Sequence, residues 1–255
     1  MIYHEDGEHI YSPIELSILV PCLNEEENIH LVLDDLCEII RRNNLTNIEI
    51  IVLDDSSIDS TYEKAVSYAN KMGDIVIRII RRYEPRRGYG AIIRFGIAIA
   101  NGQYCIPVSA DRVDPIEIIP AMLEKMRNDV GMVQCSRYIN PTDADTIPFK
   151  YKFFQTIWRF LIRLLLKQQI LDSTYSFKMF RRVDVLALGI HSNGFSISPE
   201  IFFKVLLSNE RVELISHSQG VRLFGESKFQ FSREGFGYSY VLLRAWFHKL
   251  GILWY

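Results

Sequence analysis

Short apolar runs alternate with stretches of helical periodicity through the first half of the chain, and this alternation constrains the fold more than any other feature. The runs that predict strands lie at 14–20, 48–53, 74–80, 104–108 and 132–135. Between the first four runs, apolar residues at helical spacing predict helices at 24–40, 59–69 and 88–100. The short links imply an α/β fold with a mostly parallel sheet, right-handed crossovers and helices on both faces.

The second half of the chain has a different pattern. Its segments are a polar loop at 139–148, a strongly apolar helix at 153–171, a helix start at 198–200, strands at 212–215 and 221–224, a turn at 225–228 and an amphipathic helix at 235–250. We find no internal repeat and no low-complexity tract, so the sequence predicts one domain, 1–255, rather than an array.

Composition and charge exclude several classes of protein. The net charge of −2 gives no reason to expect nucleic acid as a partner. The four cysteines form no CxxC pair and have no accompanying histidine cluster, which predicts buried reduced thiols and a cytoplasmic setting rather than a zinc site. The polar segment 1–13 does not resemble a signal peptide, and no apolar stretch approaches the roughly 18 residues that a transmembrane helix needs.

Acidic residues collect where the predicted strands end. Asp54 and Asp55 follow the second strand, and Asp111 follows the fourth. Ligands of open α/β sheets bind at this carboxyl edge, and several carboxylates close together need a cation or hydrogen-bond donors. A divalent metal bridging a diphosphate is one candidate, and ribose hydroxyls or a base N–H are another. Adjacent acids after a strand can also serve simply as helix caps or turn formers.

Several segments resemble glycosyltransferase family 2, and within it the dolichol-phosphate mannose and polyprenyl-phosphate sugar synthases. The matching segments, which span about residues 14 to 230 in consistent order, read ILVPCLNEEENI, VLDDSSIDST, RRGYGAIIRFGIAIANGQYCIPVSADRVDP, CSRY and FGESKF. The resemblance implies a Rossmann-like GT-A fold with C-terminal amphipathic helices. It divides the domain into a nucleotide-sugar-binding half, an acceptor-side half and a C-terminal helix, at 14–138, 139–230 and 231–255.

The resemblance also implies a nucleotide-diphosphate sugar as donor and inversion at the anomeric carbon. By matching position, the residues that would hold the nucleoside are Pro21, Leu23, Glu25 and Asp55, with Asp54 supporting their turn. Gly88 and Gly90 would bring a helix start, whose N–H groups favour anions, near the donor. The alternative for these glycines is a tight turn without a ligand.

The fourth strand departs from the family's pattern. Where the family usually has Asp-x-Asp, this chain has Ser109, Ala110 and Asp111, and Val113 stands where a glutamine often completes the metal site. We expect Ser109 and Asp111 in the donor site, with Asp111 as the catalytic acid and sole carboxylate for a weakened Mg²⁺ or Mn²⁺ site. Arg112, or Arg86 with Arg87, could replace part of the metal's charge on the leaving diphosphate. Arg112 could equally be a solvated loop residue.

The acceptor decides which chemistry the other half must supply. A lipid phosphate is already ionised at neutral pH, with a second pKa near ~6, so it needs cations rather than a base. Arg137, Arg222 and Lys228 lie in family-like segments and suit that role, although surface salt bridging is the alternative for each. Asp172 is either a general base for a hydroxyl acceptor or a structural partner for an arginine.

The apolar helix at 153–171 and the segment 238–255 are candidates for contact with a membrane surface. Arg159, Arg163 and Lys167 recur every four residues and share one face. They could lie at headgroup level, or the helix could pack on the core or on a partner subunit in a homo-oligomer. The leading reading is a peripheral protein at the cytoplasmic face that glycosylates a polyprenyl phosphate. A glycan hydroxyl acceptor and a noncatalytic nucleotide-sugar-binding protein remain as alternatives.

Overall fold

The computed structural model describes residues 13–83, 88–220, 231–252 and 255. Its strands are β1 (Leu16–Cys22), β2 (Ile48–Asp54), β3 (Val76–Arg81), β4 (Tyr104–Pro107), β5 (Met132–Ser136), β6 (Lys178–Arg181) and β7 (Val212–Ser216). Its α-helices are α1 (Ile29–Arg42), α2 (Thr61–Ala69), α3 (Tyr89–Ile99), α4 (Ile119–Met126), α5 (Phe149–Leu166), α6 (Arg182–Ala187), α7 (Ile197–Leu207) and α8 (Phe231–Lys249).

Within the described residues the strands form one seven-stranded sheet in the order β3-β2-β1-β4-β6-β5-β7. The predicted mostly parallel sheet is confirmed, because β6 alone of these strands runs antiparallel to its neighbours, β4 and β5. Sequence analysis missed β6. Its four residues include two basic ones and follow a loop-like segment, so no apolar run marked it.

Apolar side chains cover both faces of the sheet, which explains the continuous apolar runs of its central strands. One core packs α1, α2 and α4 against the sheet and contains Leu33, Leu36 and Met122. The other packs α3, α5, α7 and α8 on the opposite face and contains Ile93 and Phe203. This confirms helices on both faces, and it leaves the loops at the carboxyl edge to build a site.

Several predicted boundaries shift in ways that affect the site. β1 ends at Cys22, two residues later than predicted, so Pro21 lies within the strand. The helix predicted at 24–40 begins later than expected, because α1 begins at Ile29 and Asn24 adopts a left-handed φ of 55°. Asn24 instead bonds to the loop after β2. Helix α5 also begins earlier than predicted and ends at Leu166.

The C-terminal part keeps its predicted amphipathic helix, which runs four residues further toward the N-terminus, as α8. The strand predicted at 221–224 and the turn predicted at 225–228 lie outside the described residues. In the part of the chain that the structure describes, no helix is both long enough and apolar enough to cross a membrane.

Candidate functional site

Two loops at the carboxyl edge of the sheet form one wall of the candidate site. They follow β1 and β2, and Cys22 and Asp54 at the two strand ends are in register. Four hydrogen bonds from backbone N–H groups to side-chain oxygens join the loops. They are Asn24 N–H to Ser57 Oγ (2.9 Å), Ile58 N–H to Asn24 Oδ1 (2.9 Å), Glu25 N–H to Thr61 Oγ1 (2.8 Å) and Glu26 N–H to Asp59 Oδ2 (3.2 Å). Pro21 and Leu23 are half-buried beside the buried Glu25 on this wall. The predicted nucleoside residues therefore do lie at one edge.

Asp54 and Asp55 are each held by an arginine from the end of β3. Arg81 Nε donates to Asp54 Oδ2 at 2.5 Å. Arg82 Nε and Nη2 both donate to Asp55 Oδ1, at 3.0 and 2.5 Å. Both aspartates are buried, so each arginine neutralises a carboxylate that water does not reach.

Sequence analysis missed Arg81 and Arg82. The available signal was a basic pair at the end of one parallel strand beside an acidic pair at the end of the next, with Asp54 opposite Arg81 in register. Asp54 also accepts a hydrogen bond from Ser57 N–H at 3.0 Å. This bond fits the expected role of Asp54 as a support for its turn.

Gly88 and Gly90 allow close backbone packing at the start of α3. The N–H groups of Gly90 and Ala91 donate to the carbonyl of Asn193 at 2.8 and 3.1 Å. A Cβ on Gly90 would lie 2.5 Å from the carbonyl oxygen of Ser192, and Gly88 has a φ of 143°. A loop of the same chain therefore occupies the N–H groups of Gly90 and Ala91, whereas Gly88 N–H donates to Asp55 Oδ2 at 3.2 Å. A role of Gly88 and Gly90 in the donor site stays a prediction.

The turn after β4 is closed by Asp114, which sequence analysis overlooked. Ser109 N–H donates to Asp114 Oδ2 at 2.6 Å, and the Tyr175 hydroxyl donates to Asp114 Oδ1 at 2.7 Å. Burial raises the pKa of Asp114 to about 6, and the charge of Asp111 acts in the same direction. Asp111 is half-buried and its Oδ1 lies 3.4 Å from the N–H of Val113. A second acid in the segment SADRVDP was the signal for this turn.

Arg112 points toward α1. Its Nε donates to Asp35 Oδ2 at 2.5 Å and its Nη2 donates to Asp35 Oδ1 at 3.0 Å, while its backbone is left-handed, with a φ of 61°. The Arg112 guanidinium is therefore bound to α1. It is neither a solvated loop group nor directed toward the place proposed for the diphosphate. Contact between Arg112 and a donor requires that this ion pair break.

The residues after β4 do not form a complete metal site by themselves. Among the described residues, no three His, Cys, Asp or Glu side chains are grouped so that they could hold a metal ion. Asp111 offers a carboxylate and Ser109 a hydroxyl, whereas both oxygens of Asp114 already accept hydrogen bonds. This donor set fits only a cation whose other ligands are diphosphate oxygens and water.

Arg137, directly after β5, is held by Asp172. Arg137 Nε donates to Asp172 Oδ2 at 2.8 Å and Nη2 donates to Oδ1 at 3.1 Å, while Nη1 donates to Gln219 Oε1 at 2.9 Å. Burial alone would lower the pKa of Arg137, but the charge of Asp172 more than offsets it and keeps that pKa above its usual range. Arg137 therefore remains a fixed cation.

Asp172 is a structural partner of this arginine rather than a general base. Its side chain is fully buried. Besides Arg137 it accepts hydrogen bonds from the N–H groups of Thr174 and Tyr175, at 3.3 and 3.2 Å. Of the two roles predicted for Asp172, this geometry favours the structural one over the catalytic one. The carboxylate is enclosed by residues of its own chain, so an acceptor hydroxyl does not reach it.

Tyr175 links the turn after β4 to the Arg137 region. Its hydroxyl donates to Asp114, its N–H donates to Asp172, and its ring centroid lies 4.3 Å from the guanidinium carbon of Arg137. The structure therefore brings the predicted donor and acceptor regions together through one side chain. The roles predicted for Arg86, Arg87, Arg222 and Lys228 fall outside the described residues and stay predictions.

Comparisons with known proteins show the family and the fold of this chain. Residues 17–188 match the family model described as glycosyl transferase family 2. A dolichol-phosphate mannosyltransferase of Pyrococcus furiosus is 29% identical over 219 residues, which cover 85% of this chain and 60% of that protein. A dolichyl-phosphate beta-glucosyltransferase of Dictyostelium discoideum is 31% identical over 183 residues, which cover 66% of this chain and 54% of that protein. The chain thus spans 54% to 60% of the length of these two relatives.

The solved structures of similar fold include glucosyl-3-phosphoglycerate synthase from Mycobacterium tuberculosis in complex with Mn²⁺, uridine diphosphate and phosphoglyceric acid. That structure has a TM-score of 0.65 at 17% identity, covering 94% of this chain and 79% of the other. The complex with uridine diphosphate alone has a TM-score of 0.66 at 18% identity and covers 94% of this chain and 81% of the other. The likeness confirms the expected GT-A fold.

Proposed function

Because the chain belongs to glycosyltransferase family 2, we propose that it transfers a sugar from a nucleotide-diphosphate donor to a polyprenyl phosphate, dolichyl or undecaprenyl, with inversion at the anomeric carbon. The two curated relatives are named for transfer to dolichol or dolichyl phosphate. A protein of the same fold was solved with uridine diphosphate. The names support the acceptor class, and the carboxyl-edge site supports a nucleotide donor.

The observation that carries the acceptor assignment is the pair formed by Arg137 and Asp172. A sugar hydroxyl needs a general base within hydrogen-bond reach to become a good nucleophile. Among the described residues, the acid beside Arg137 is Asp172, which is fully buried and bound to that arginine. We therefore expect this region to offer the acceptor a cation and not a base. A phosphate with a second pKa near ~6 is already ionised at neutral pH and needs a cation to position it.

In the proposed reaction an oxygen of the lipid phosphate attacks the anomeric carbon. The bond from that carbon to the donor's diphosphate breaks, and the nucleoside diphosphate leaves with the bonding electrons. Attack from the opposite side inverts the configuration, and no proton has to be removed from the ionised phosphate. Pro21, Leu23, Glu25 and Asp55 form the proposed nucleoside pocket, where the base must share Asp55 with Arg82.

A divalent cation, Mg²⁺ or Mn²⁺, supplies neutralising charge on the leaving diphosphate when it is bound. Asp111 would contribute a carboxylate oxygen and Ser109 a hydroxyl to such a cation. The donor's own phosphates would have to supply most of the remaining ligands. Asp111 is accordingly the protein residue on which the effect of the cation depends.

The exposed face of α5 supports contact with a membrane surface. Its large apolar side chains that point away from the core are Phe149, Phe153, Ile157, Phe160 and Leu164, whereas Trp158, Ile162 and Leu166 are buried on the other side of the helix. Lys152 and Arg163 lie along one edge of the exposed face, a placement that suits anionic headgroups. We therefore propose lipid as the partner of this face, at the cytoplasmic side of a membrane.

The function is tested with radiolabelled UDP-glucose and GDP-mannose and with dolichyl and undecaprenyl phosphate as acceptors. We expect one donor to give an organic-soluble product from which mild acid releases the sugar. Asp111→Asn is expected to reduce the rate at least tenfold. Transfer to a soluble glycan instead would establish a hydroxyl acceptor, and nucleotide binding without any turnover would establish a noncatalytic protein. Either result would overturn the proposal.

A further inference from the structure

We propose that Arg159, on α5, is a second cation of the acceptor-phosphate site and positions the lipid phosphate together with Arg137. This inference rests on the proposed function and extends it to a residue that none of the quoted family-like motifs contains. Arg159 is half-buried, one residue before the exposed Phe160 of the proposed lipid-facing surface. A single helix would thus carry both the membrane contact and a ligand of the headgroup.

The two guanidinium groups converge on one aromatic ring. The guanidinium carbon of Arg159 lies 4.8 Å from the ring centroid of Tyr138, and that of Arg137 lies 5.8 Å from the same centroid. Tyr138 follows Arg137 directly at the end of β5. Two cations from different elements therefore lie beside the same ring.

Most hydrogen-bonding capacity of Arg159 is uncommitted. Its Nε donates to the carbonyl oxygen of Gln155 at 3.3 Å. Within the described residues, no carboxylate lies within 4.0 Å of its guanidinium, in contrast to Arg137 with Asp172 and Arg112 with Asp35. Two terminal N–H₂ groups remain, and their planar fork matches two oxygens of a phosphate.

Among the described residues, the cations around this place outnumber the carboxylates that pair with them. Asp172 forms its ion pair with Arg137. Arg159 adds a second positive charge. Lys178 is a further basic residue of this region and is fully buried. It donates to the carbonyls of Ser173 and Ser198 at 3.2 and 2.8 Å, and burial lowers its pKa to about 7. Positive charge shielded from water is costly unless it is paired, and a bound phosphate would pair it.

Two buried polar atoms beside the cluster also lack partners. The Tyr138 hydroxyl and Gln155 Oε1 are buried without a hydrogen-bond partner in the described structure. The Tyr138 hydroxyl can donate to a phosphate oxygen. Gln155 Nε2 bonds the Thr174 hydroxyl, and because amide nitrogen and oxygen are interchangeable by a flip, Gln155 can turn its N–H₂ toward the same anion. Both groups then gain partners when phosphate binds.

The test compares Arg159→Gln, Arg159→Lys and the control Arg42→Gln, which removes the same charge from an exposed arginine at the end of α1. Transfer to undecaprenyl and dolichyl phosphate is measured in neutral detergent micelles, with KM determined separately for donor and acceptor. Because Arg159 would give the phosphate charge-assisted hydrogen bonds, Arg159→Gln should raise the acceptor KM at least about tenfold. The donor KM should stay within about twofold, Arg159→Lys should recover part of the loss, and Arg42→Gln should resemble the unaltered protein.

The outcomes separate this inference from the proposed function. If the unaltered protein transfers sugar and Arg159→Gln keeps a normal acceptor KM, Arg159 is not a phosphate ligand although the function stands. An equal rise in the KM of donor and acceptor, or a failure of Arg159→Lys to restore anything, would assign Arg159 a purely structural role. If the unaltered protein forms no lipid-linked product, the function itself is wrong and this inference falls with it.

Discussion

At the scale of single residues, buried arginine–aspartate pairs organise the carboxyl edge of the sheet. The pairs are Asp54 with Arg81, Asp55 with Arg82 and Asp172 with Arg137. Removing one partner of such a pair leaves a buried charge and lowers the free energy of unfolding by about 3–5 kcal/mol, whereas replacing both partners lowers it much less. These pairs therefore fix the geometry of the site more than they add to stability.

Asp114 provides a prediction at this scale. Burial raises its pKa to about 6 from a usual value of 3.8. A carboxyl group whose pKa is raised by folding stabilises the folded state while it is protonated, and this contribution is lost as the pH rises toward and past the folded pKa. Between about pH 5 and 7.5 the linkage amounts to roughly 1 kcal/mol of the free energy of unfolding.

The measurement is urea unfolding of Asp114→Asn and of the unaltered protein, both without metal, at those two pH values. Asparagine keeps the shape of the side chain and has no charge to lose. We expect the variant to gain stability relative to the unaltered protein as the pH rises, by about 1 kcal/mol. An unchanged difference between the two proteins at both pH values would show that Asp114 does not titrate in this window.

At the scale of elements, α5 has apolar side chains on both sides. A helix that is apolar all round is normally buried, yet Phe149 and Phe160 of α5 are 81% and 62% exposed. The buried side, with Trp158 and Ile162, already accounts for the packing of the helix on α7 and α8. The exposed side is the surface for which we propose contact with lipid, and its basic edge favours this partner.

Vesicle binding tests this surface. The double variant Phe153→Ser with Phe160→Ser should bind vesicles containing phosphatidylglycerol at least tenfold more weakly, because burying one phenylalanine side chain is worth about 1.5–3 kcal/mol. Val183→Ser, which replaces an exposed apolar residue of α6, is the matched control and should bind normally. Co-sedimentation measures both.

Two results would contradict a lipid surface on α5. One is normal vesicle binding by the double phenylalanine variant. The other is a dimer of the unaltered protein in sedimentation velocity that the same variant dissociates, since a second copy of the chain would then cover the face. High salt should weaken vesicle binding, because Lys152 and Arg163 act through screened charge.

At the scale of the whole molecule, the position of β6 joins the two halves of the site. This strand lies between β4 and β5 and pairs with both. The segment that leads into it, 172–177, therefore passes the turn after β4, and Tyr175 reaches Asp114 on one side and Arg137 on the other. Donor and acceptor regions that lie far apart along the chain thus share one edge.

The dependence of nucleotide binding on a divalent metal is a property of the assembled carboxyl edge of the sheet. We expect uridine or guanosine diphosphate to bind without Mn²⁺, with less than about a tenfold loss of affinity, which corresponds to under 1.4 kcal/mol. The reason is that Asp111 is the main protein ligand a cation would have, while the nucleoside contacts do not involve metal. Calorimetric titration with and without Mn²⁺ measures the difference.

Asp111→Asn completes this experiment. It should abolish the gain in affinity that Mn²⁺ provides and leave the metal-free affinity nearly unchanged. Ser57→Ala, in the loop after β2, serves as a control that should lower the affinity equally with and without Mn²⁺. A strict requirement for metal in the unaltered protein would contradict the prediction.

The sequence by itself determined most of the architecture and the acids at the carboxyl edge of the sheet. The apolar runs of β1, β2 and β4 and the helical spacing of α1 to α3 are local signals, because each strand or helix buries a face that its own residue pattern reveals. The acids Asp54, Asp55 and Asp111 could be placed at one edge for the same reason, since parallel strands bring their carboxyl ends together.

The tertiary structure alone decided which of those groups remain available to a ligand. Asn193 occupies the N–H groups of two residues in the first turn of α3, Asp172 is enclosed by Arg137, and Arg112 is paired with Asp35. These partners lie from 35 to about 100 residues away along the chain, so no local pattern indicates them. The type of a residue limits which contacts its side chain can make. Whether that side chain is available to a ligand depends on long-range packing, which exists only once the sheet has formed.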